Sequence, residues 1–325
     1  ISLPRALSLS MNQITFIGLT ALAGYLAPGS ISVFMFAFNL QAVPLAIIGA
    51  SYSVAAFPTL AAMVASGQRD EFISLISTAT KYVLFWSLPV IALVVVLRAH
   101  IVRVILGSGS FDWTDTRLTA AAFALFSLSL VAQGVMLVLI RGYYAAGRTY
   151  MPFFVSLGMM VGTMVLGAGS IFVFKADFVS HAIERVLRVQ DLPGTAVLGL
   201  PFVYAFVTII GCIVLTIHFE HRFGGFVRNT RRAFMEAMFA TFAAGAGAYV
   251  FLYLVSPIIV PSTSLSIFLQ GLTAGLFGIV CAMMAYYSVG STELTEVFNS
   301  ARARIWRRAP EEVTLVASAE EHSTL

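Results

Sequence analysis

The sequence predicts an all-α polytopic membrane protein with about eight transmembrane helices. Fifty-nine per cent of its residues are hydrophobic and ten per cent charged, with a mean hydropathy of +0.92. A soluble chain carries about a quarter of its residues charged. Apolar runs recur at roughly 30-residue spacing, each long enough for a bilayer. Basic residues gather at the ends of those runs, so the net charge of +4 is no nucleic-acid footprint.

The first segment runs from about Leu9 to Leu26, carries Asn12 and Gln13, and closes at the Ala27-Pro28-Gly29 turn. The second, about Ile31 to Ala65, is apolar but holds Asn39, Gln41, Pro44, Pro58 and the small residues Gly49, Ala50 and Ser51. A helix of that length reaches roughly 50 Å, against a hydrocarbon core of about 30 Å. It must tilt, project, or bend at its prolines. Two side-chain amides in its middle predict a polar side facing an aqueous or headgroup-lined space.

The polar connector SGQRDEF leads through ISLISTATK to a third segment, Tyr82 to Leu106, which contains Pro89, Arg98, His100 and Arg103. Arg98 and Arg103 are expected to snorkel to headgroups. Thr114 or Asp115 is placed to cap the fourth segment, Leu118–Ile140, which ends in RGYYAAGRTYMP. A fifth, Pro152–Phe174, has Gly158, Gly162, Gly167 and Gly169 on a small-residue face suited to ordinary bundle packing. Residues 175–195 then read as an amphipathic surface helix, with Val179, Ile183, Val186 and Leu187 opposite His181, Glu184, Arg185 and Arg188. Glu184 and Arg188 stand in the favourable i, i+4 order.

Segments six to eight fall at Ala196–Ile217, Ala233–Val255 and Leu265–Val289, with the basic connector HFEHRFGGFVRNTRR between six and seven. The expected organisation is a six-helix lobe over 1–217, two added helices over 218–290, and a tail over 291–325. That tail opens as a basic amphipathic stretch, with Leu294, Val297, Phe298, Ala301 and Ile305 on one face, and ends in a sequence without a core pattern. With both ends cytoplasmic, thirteen of the nineteen Lys and Arg lie inside, which orients the chain. Residue 1 is Ile and no signal-peptide pattern follows, so the chain reads as part of something longer.

The chemistry is that of a non-enzyme. No HExxH, CxxC, P-loop or GxSxG motif is present, and Cys212 and Cys281 lie singly in apolar runs, so neither metal nor cofactor is expected. No Asp or Glu falls in mid-membrane, where proton or cation relays place one. The polar residues at depth are amides. Gln133 and Gln270 read best as links between helices, whereas Asn12, Gln13, Asn39 and Gln41 stay open between link and binding site. Arg141 and Arg148, beside Tyr143 and Tyr144, either anchor an interface or meet a phosphate, with anchoring favoured.

The runs SLPRALSLSMNQ, GSISVFMFAFNLQAVP, GASYSVAAFPTLA followed by SGQRDEF, and RGYYAAGRTYMP resemble the MurJ/MviN murein-precursor lipid flippases, of the multidrug/oligosaccharidyl-lipid/polysaccharide exporter superfamily. The ordered match spans about residues 1–155. The resemblance implies a fourteen-helix, two-lobed transporter of the bacterial inner membrane. This chain would supply its second lobe and two C-terminal helices, with the N-terminal lobe as partner. It implies a cationic central cavity for a polyprenyl-diphosphate-linked saccharide such as lipid II, a lateral groove for the polyprenyl tail, and alternating access coupled to potential or ions. The candidate headgroup contacts are Asn12, Gln13, Asn39, Gln41, Ser51 and Arg141. Many family members place Arg where Asn39 stands, so this wall is expected to be neutral. Another lipid-linked polysaccharide exporter, or a non-transporting membrane scaffold, are the alternatives.

Overall fold

The computed structural model describes residues 2–107, 111–173, 184–190, 192–255 and 263–306, in some places by backbone alone. Among them no strand occurs, and eight helical spans are long and apolar enough to cross a membrane. The helices are α1 (Ser2–Gly24), α2 (Ser30–Leu45), α3 (Ser51–Ala65), α4 (Arg69–Leu106), α5 (Trp113–Ser127), α6 (Leu130–Ala145), α7 (Tyr150–Val173), α8 (Gly199–Phe223), α9 (Phe226–Val255), α10 (Ser264–Ser288) and α11 (Thr292–Trp306).

The long second segment is α2 and α3 joined by a π-helical stretch, Ala46–Ala50. Pro44 has no N–H for the helical ladder, and the wider turn follows directly behind it. The π turn also brings backbones together: a Cβ on Gly49 would lie 3.2 Å from Gly134 Cα of α6. By contrast Pro89 interrupts nothing, and α4 runs unbroken for 38 residues, taking in the connector before Tyr82.

The fourth segment, expected as one helix, divides. Leu128 and Ser129 N–H groups bond back three residues, to Leu125 and Phe126 carbonyls, which tightens the chain between α5 and α6. Ser127 and Ser129 hydroxyls donate to the Ala124 and Phe126 carbonyls at 2.7 and 2.6 Å, holding the break. The cap of α5 is Asp112, not Thr114 or Asp115 alone. Asp112 accepts from the Asp115 N–H at 2.8 Å while Asp115 accepts from the Asp112 N–H, a reciprocal box.

Two hydrophobic clusters fill the bundle. One gathers Leu60, Ile76, Leu139, Tyr143, Leu215 and Phe219 toward the end where α3 meets α4. The other gathers Leu19, Phe34, Val102, Phe126, Leu198 and Leu200 toward the opposite end. Outside them α9 lies against α4 and α10 through Ala237, Ala240, Ala244 and Ala248, all fully buried. A Cβ on Gly278 of α10 would meet the Ala244 carbonyl at 2.9 Å, so these two helices nearly touch by backbone. The glycine face of α7 serves two neighbours: Gly167 abuts Leu19 and Leu22 of α1, and Gly162 abuts Val207 of α8.

The 175–195 stretch departs from its expected surface helix where it is described; residues 174–183 lie outside the described part. Its helix ends at Leu187, because Arg188 takes a left-handed φ of 58°. Val189 N–H bonds to Glu184 O at 2.9 Å, closing a Schellman turn with Arg at the position glycine usually holds. Glu184, assigned to the solvated side, is buried and accepts from Thr195 Oγ1 at 2.6 Å, while Val186 is exposed. The cause is docking. Arg98 Nη2 donates to Leu187 O at 3.2 Å and Arg117 Nη2 to Arg188 O at 2.5 Å, so the turn is pulled onto α4 and α5. Arg98 and Arg103 therefore serve carbonyls, Val95 and Leu187 for one and Phe111 for the other, where the sequence suggested snorkelling.

Of the tail, α11 buries Leu294 and leaves Phe298 exposed, with Tyr82 of α4 donating to the Glu296 carboxylate. The side chains of Ala301 and Ile305, and all of 307–325, lie outside the described residues.

Candidate functional site

A polar network crosses the bundle where its two hydrophobic clusters meet. Gln133 of α6 donates through Nε2 to Gln41 Oε1 of α2 at 3.1 Å and to Ser129 Oγ at 2.7 Å. Tyr204 of α8 donates its hydroxyl to Gln133 Oε1 at 3.4 Å. Gln41 is 1% exposed, so an unpaired amide there would carry a desolvation cost of about 1–3 kcal/mol. Gln133 meets that demand and links three helices at once.

Beside the network lies a cavity of about 270 Å³, bounded by α1, α2, α6, α7 and α8. Its polar lining is Asn12, Thr15, Gln133, Ser156, Thr163, Tyr204 and Thr208, set among Phe38 and several methionines. No Asp, Glu, Lys or Arg lines it. Amides and hydroxyls can both donate and accept, so the cavity suits a neutral polar group or water. It holds no nucleophile and base pair, and among the described residues no three His, Cys, Asp or Glu side chains assemble for a metal.

The six residues singled out in the sequence part company here. Asn12 lines the cavity and Gln41 reaches its edge through Gln133. Gln13 is exposed on α1, and Asn39 is exposed on an α2 stripe shared with Met35, Phe36 and Val43. Asn39 and Gln41 lie two residues apart on a helix, about 200° around its axis, so they cannot face one space. The side chain of Ser51, first residue of α3, lies outside the described part. Arg141 is half-buried near the end of α6 and is not among the cavity's lining residues. Thr15, Ser156, Thr163, Tyr204 and Thr208 escaped the sequence reading. Their signal was present as polar residues at one-turn and two-turn spacing in α7 and α8.

A second cavity, about 420 Å³, runs between α4 and α10 and is almost wholly apolar. Leu97, Ile101, Val104, Leu272 and Ile279 form its sides, and Gly271 and Gly275 leave the room. At its edge His100 Nε2 and Gln270 Oε1 pair at 3.3 Å, joining the two helices.

Fold and site together define a multi-pass α-helical membrane protein. A neutral polar cavity lies within it, and an apolar groove runs along its flank. The chain belongs to the lipid II flippase MurJ family, whose model matches residues 2–270. It is similar to proteins described as probable lipid II flippase MurJ. One, from Buchnera aphidicola subsp. Schizaphis graminum, is 26% identical over 172 residues, 53% of this chain and 34% of the relative. Another, from Rhizobium tropici, is 28% identical over 152 residues, 47% of this chain and 28% of the relative. One from Thermotoga maritima is 23% identical over 193 residues, 57% of this chain and 40% of the relative. A solved structure, lipid II flippase MurJ in an inward closed conformation, shares the fold at TM-score 0.63 and 17% identity. That alignment covers 87% of this chain and 52% of the solved one, so the chain spans about half of that structure. It matches two fifths or less of these curated relatives' length.

Proposed function

We propose that this chain forms the C-terminal part of a flippase for a lipid-linked peptidoglycan precursor, lipid II. It would act in the bacterial inner membrane with both of its ends cytoplasmic. The precursor's headgroup would pass from the cytoplasmic to the outer leaflet by alternating access, against a first lobe of the same transporter. Asn39 carries this reading. It lies at the middle of the apolar span Ser30–Gly49, yet its side chain is exposed. An uncovered amide at that depth is costly against lipid and favourable against water, a headgroup or a facing lobe. Gln13 on the neighbouring α1 presents the same kind of group.

Division of labour follows from the chemistry. Exposed amides hydrogen-bond sugar, peptide or phosphate oxygens but bring no charge, so the positive charge for a diphosphate must come from elsewhere. The groove between α4 and α10 supplies an apolar surface of the kind a polyprenyl tail requires. The neutral cavity beside Gln133 gives the bundle a polar interior lined by no Asp, Glu, Lys or Arg.

Complementation tests the reading. The full-length parent gene should restore growth to cells depleted of their lipid II flippase. A parent that fails to do so, and whose deletion alters only surface polysaccharide, would be an exporter of another lipid-linked saccharide.

A further inference from the structure

At the end of the bundle where α3 turns into α4, three interhelical connections converge on a cavity of about 280 Å³. Each contributes an arginine: Arg69 at the start of α4, Arg148 between α6 and α7, and Arg222 in the last turn of α8. No Asp or Glu lines this cavity. Asp70 and Glu71 share the first turn of α4 but are exposed and stand outside the lining. Glu220, one turn before Gly224, is engaged elsewhere: its carboxylate accepts from the Gly225 and Val227 N–H groups at 3.0 and 2.8 Å.

The fold fixes the backbone that carries the arginines and, for Arg69, the guanidinium itself. Arg69 Nη2 donates to Phe223 O at 2.7 Å, tying the start of α4 to the end of α8. Arg148 follows a Schellman turn in which its own N–H bonds to Tyr143 O at 2.9 Å and Gly147 takes φ 68°. Arg222 precedes the closure of α8, where Gly224 N–H bonds to Glu220 O at 2.8 Å. Gln68 adds an oriented amide, since its Oε1 accepts from Ser66 Oγ at 2.8 Å and its NH₂ remains to donate. Phe72 and Phe223, with ring centroids 5.5 Å apart, give the cavity an aromatic wall.

Arg69, Arg148 and Arg222 are exposed at the mouth of one concavity, which concentrates positive potential where an anion can reach it. Their forks match the tetrahedral oxygens of phosphate, which a point charge does less well. We propose that this cavity binds a phosphate-bearing group, at a site separate from the Gln41–Gln133 cavity and independent of which headgroup the protein moves. The source is either an anionic phospholipid of the surrounding leaflet or a soluble phosphate.

The chain purified in an uncharged detergent is titrated with phosphatidylglycerol, with phosphatidylcholine and with inorganic phosphate, and bound species are counted by native mass spectrometry. Phosphatidylglycerol should be retained over phosphatidylcholine, and R148Q/R222Q should weaken it on the order of 30-fold. That variant keeps the Arg69–Phe223 hydrogen bond, so its helices stay joined. The control R228Q/R231Q, outside the cavity on α9, should remain within about twofold of the parent chain. Phosphatidylglycerol that resists competing inorganic phosphate identifies the lipid source; displacement, with inorganic phosphate itself bound, identifies the soluble one. Equal binding by the parent chain and R148Q/R222Q, or an equal loss in R228Q/R231Q, overturns the proposal.

Discussion

Gln133 and Gln41 are bonded to each other across 3.1 Å at the level where the two hydrophobic clusters of the bundle meet. A buried amide, Gln41, bonded to a half-buried one, Gln133, is not a product of lipid solubility alone, since an unpaired amide costs more than an aliphatic side chain would. Together they satisfy one another and fix α2 against α6. Replacing Gln41 by Leu should therefore destabilise the bundle by about 1–2 kcal/mol. Replacing both amides by Leu should cost less than the sum of the single changes. Unfolding in mixed micelles of rising SDS content measures this, and strictly additive losses would show that the two side chains do not interact.

Asn39 should behave in the opposite way. Its side chain is exposed, so Asn39→Leu removes no internal hydrogen bond and should leave the amount of folded protein in the membrane unchanged. Transport by the full-length parent should fall about tenfold, the loss of one or two hydrogen bonds to a moving polar group. A flipping assay on reconstituted vesicles decides it. Unchanged flipping with normal membrane levels would reassign Asn39 to contact with the other lobe.

The contrast between these two residues shows where sequence reading stopped. Class, span number and the polar second segment were legible because apolar length and buried amides leave a direct trace in composition. Facing was not. Asn39 and Gln41 read as one polar side, but two residues on a helix are about 200° apart, and only packing showed that Gln41 points inward. The α5–α6 break was hidden for a similar reason: Ser127 and Ser129 suit a helix as well as a turn until their hydroxyls claim carbonyls. Glu184 was misplaced because amphipathic periodicity treats every carboxylate as solvated. It carries no information about Thr195, eleven residues away, or about the arginines that draw the turn inward.

Gly49 and Gly158 offer a paired test of close approach. A side chain at Gly49 would meet Gly134 Cα at 3.2 Å and Leu137 at 3.3 Å, whereas a Cβ on Gly158 meets nothing within 4 Å. Gly49→Val should destabilise by about 1–3 kcal/mol through overpacking. Gly158→Ala should be neutral or stabilise by up to about 1 kcal/mol, because alanine restricts the unfolded chain. SDS titration of both variants checks the order. Equal effects would mean that the π turn after Pro44 does not bring the chain at Gly49 close to α6.

The last prediction concerns the turn at Leu187–Val189. Its Leu187 and Arg188 carbonyls are held by guanidinium groups of Arg98 and Arg117, and its backbone closes with Arg188 in a left-handed conformation. Such a conformation costs a non-glycine residue about 1 kcal/mol, so outside contacts must stabilise it. Hydrogen bonds from charged donors are worth about 1.5–3 kcal/mol each, enough to offset that strain. Arg98→Ala combined with Arg117→Ala should therefore speed hydrogen exchange in residues 184–190 by tenfold or more, leaving α9 and α10 at their original rates. Arg188→Gly should act in the other direction, relieving the strain and slowing exchange at Val189, whose N–H closes the turn on Glu184. If the double alanine variant exchanged like the parent chain, the two arginines would be anchors at the membrane edge, and the turn would owe its shape to the buried Glu184–Thr195 bond alone.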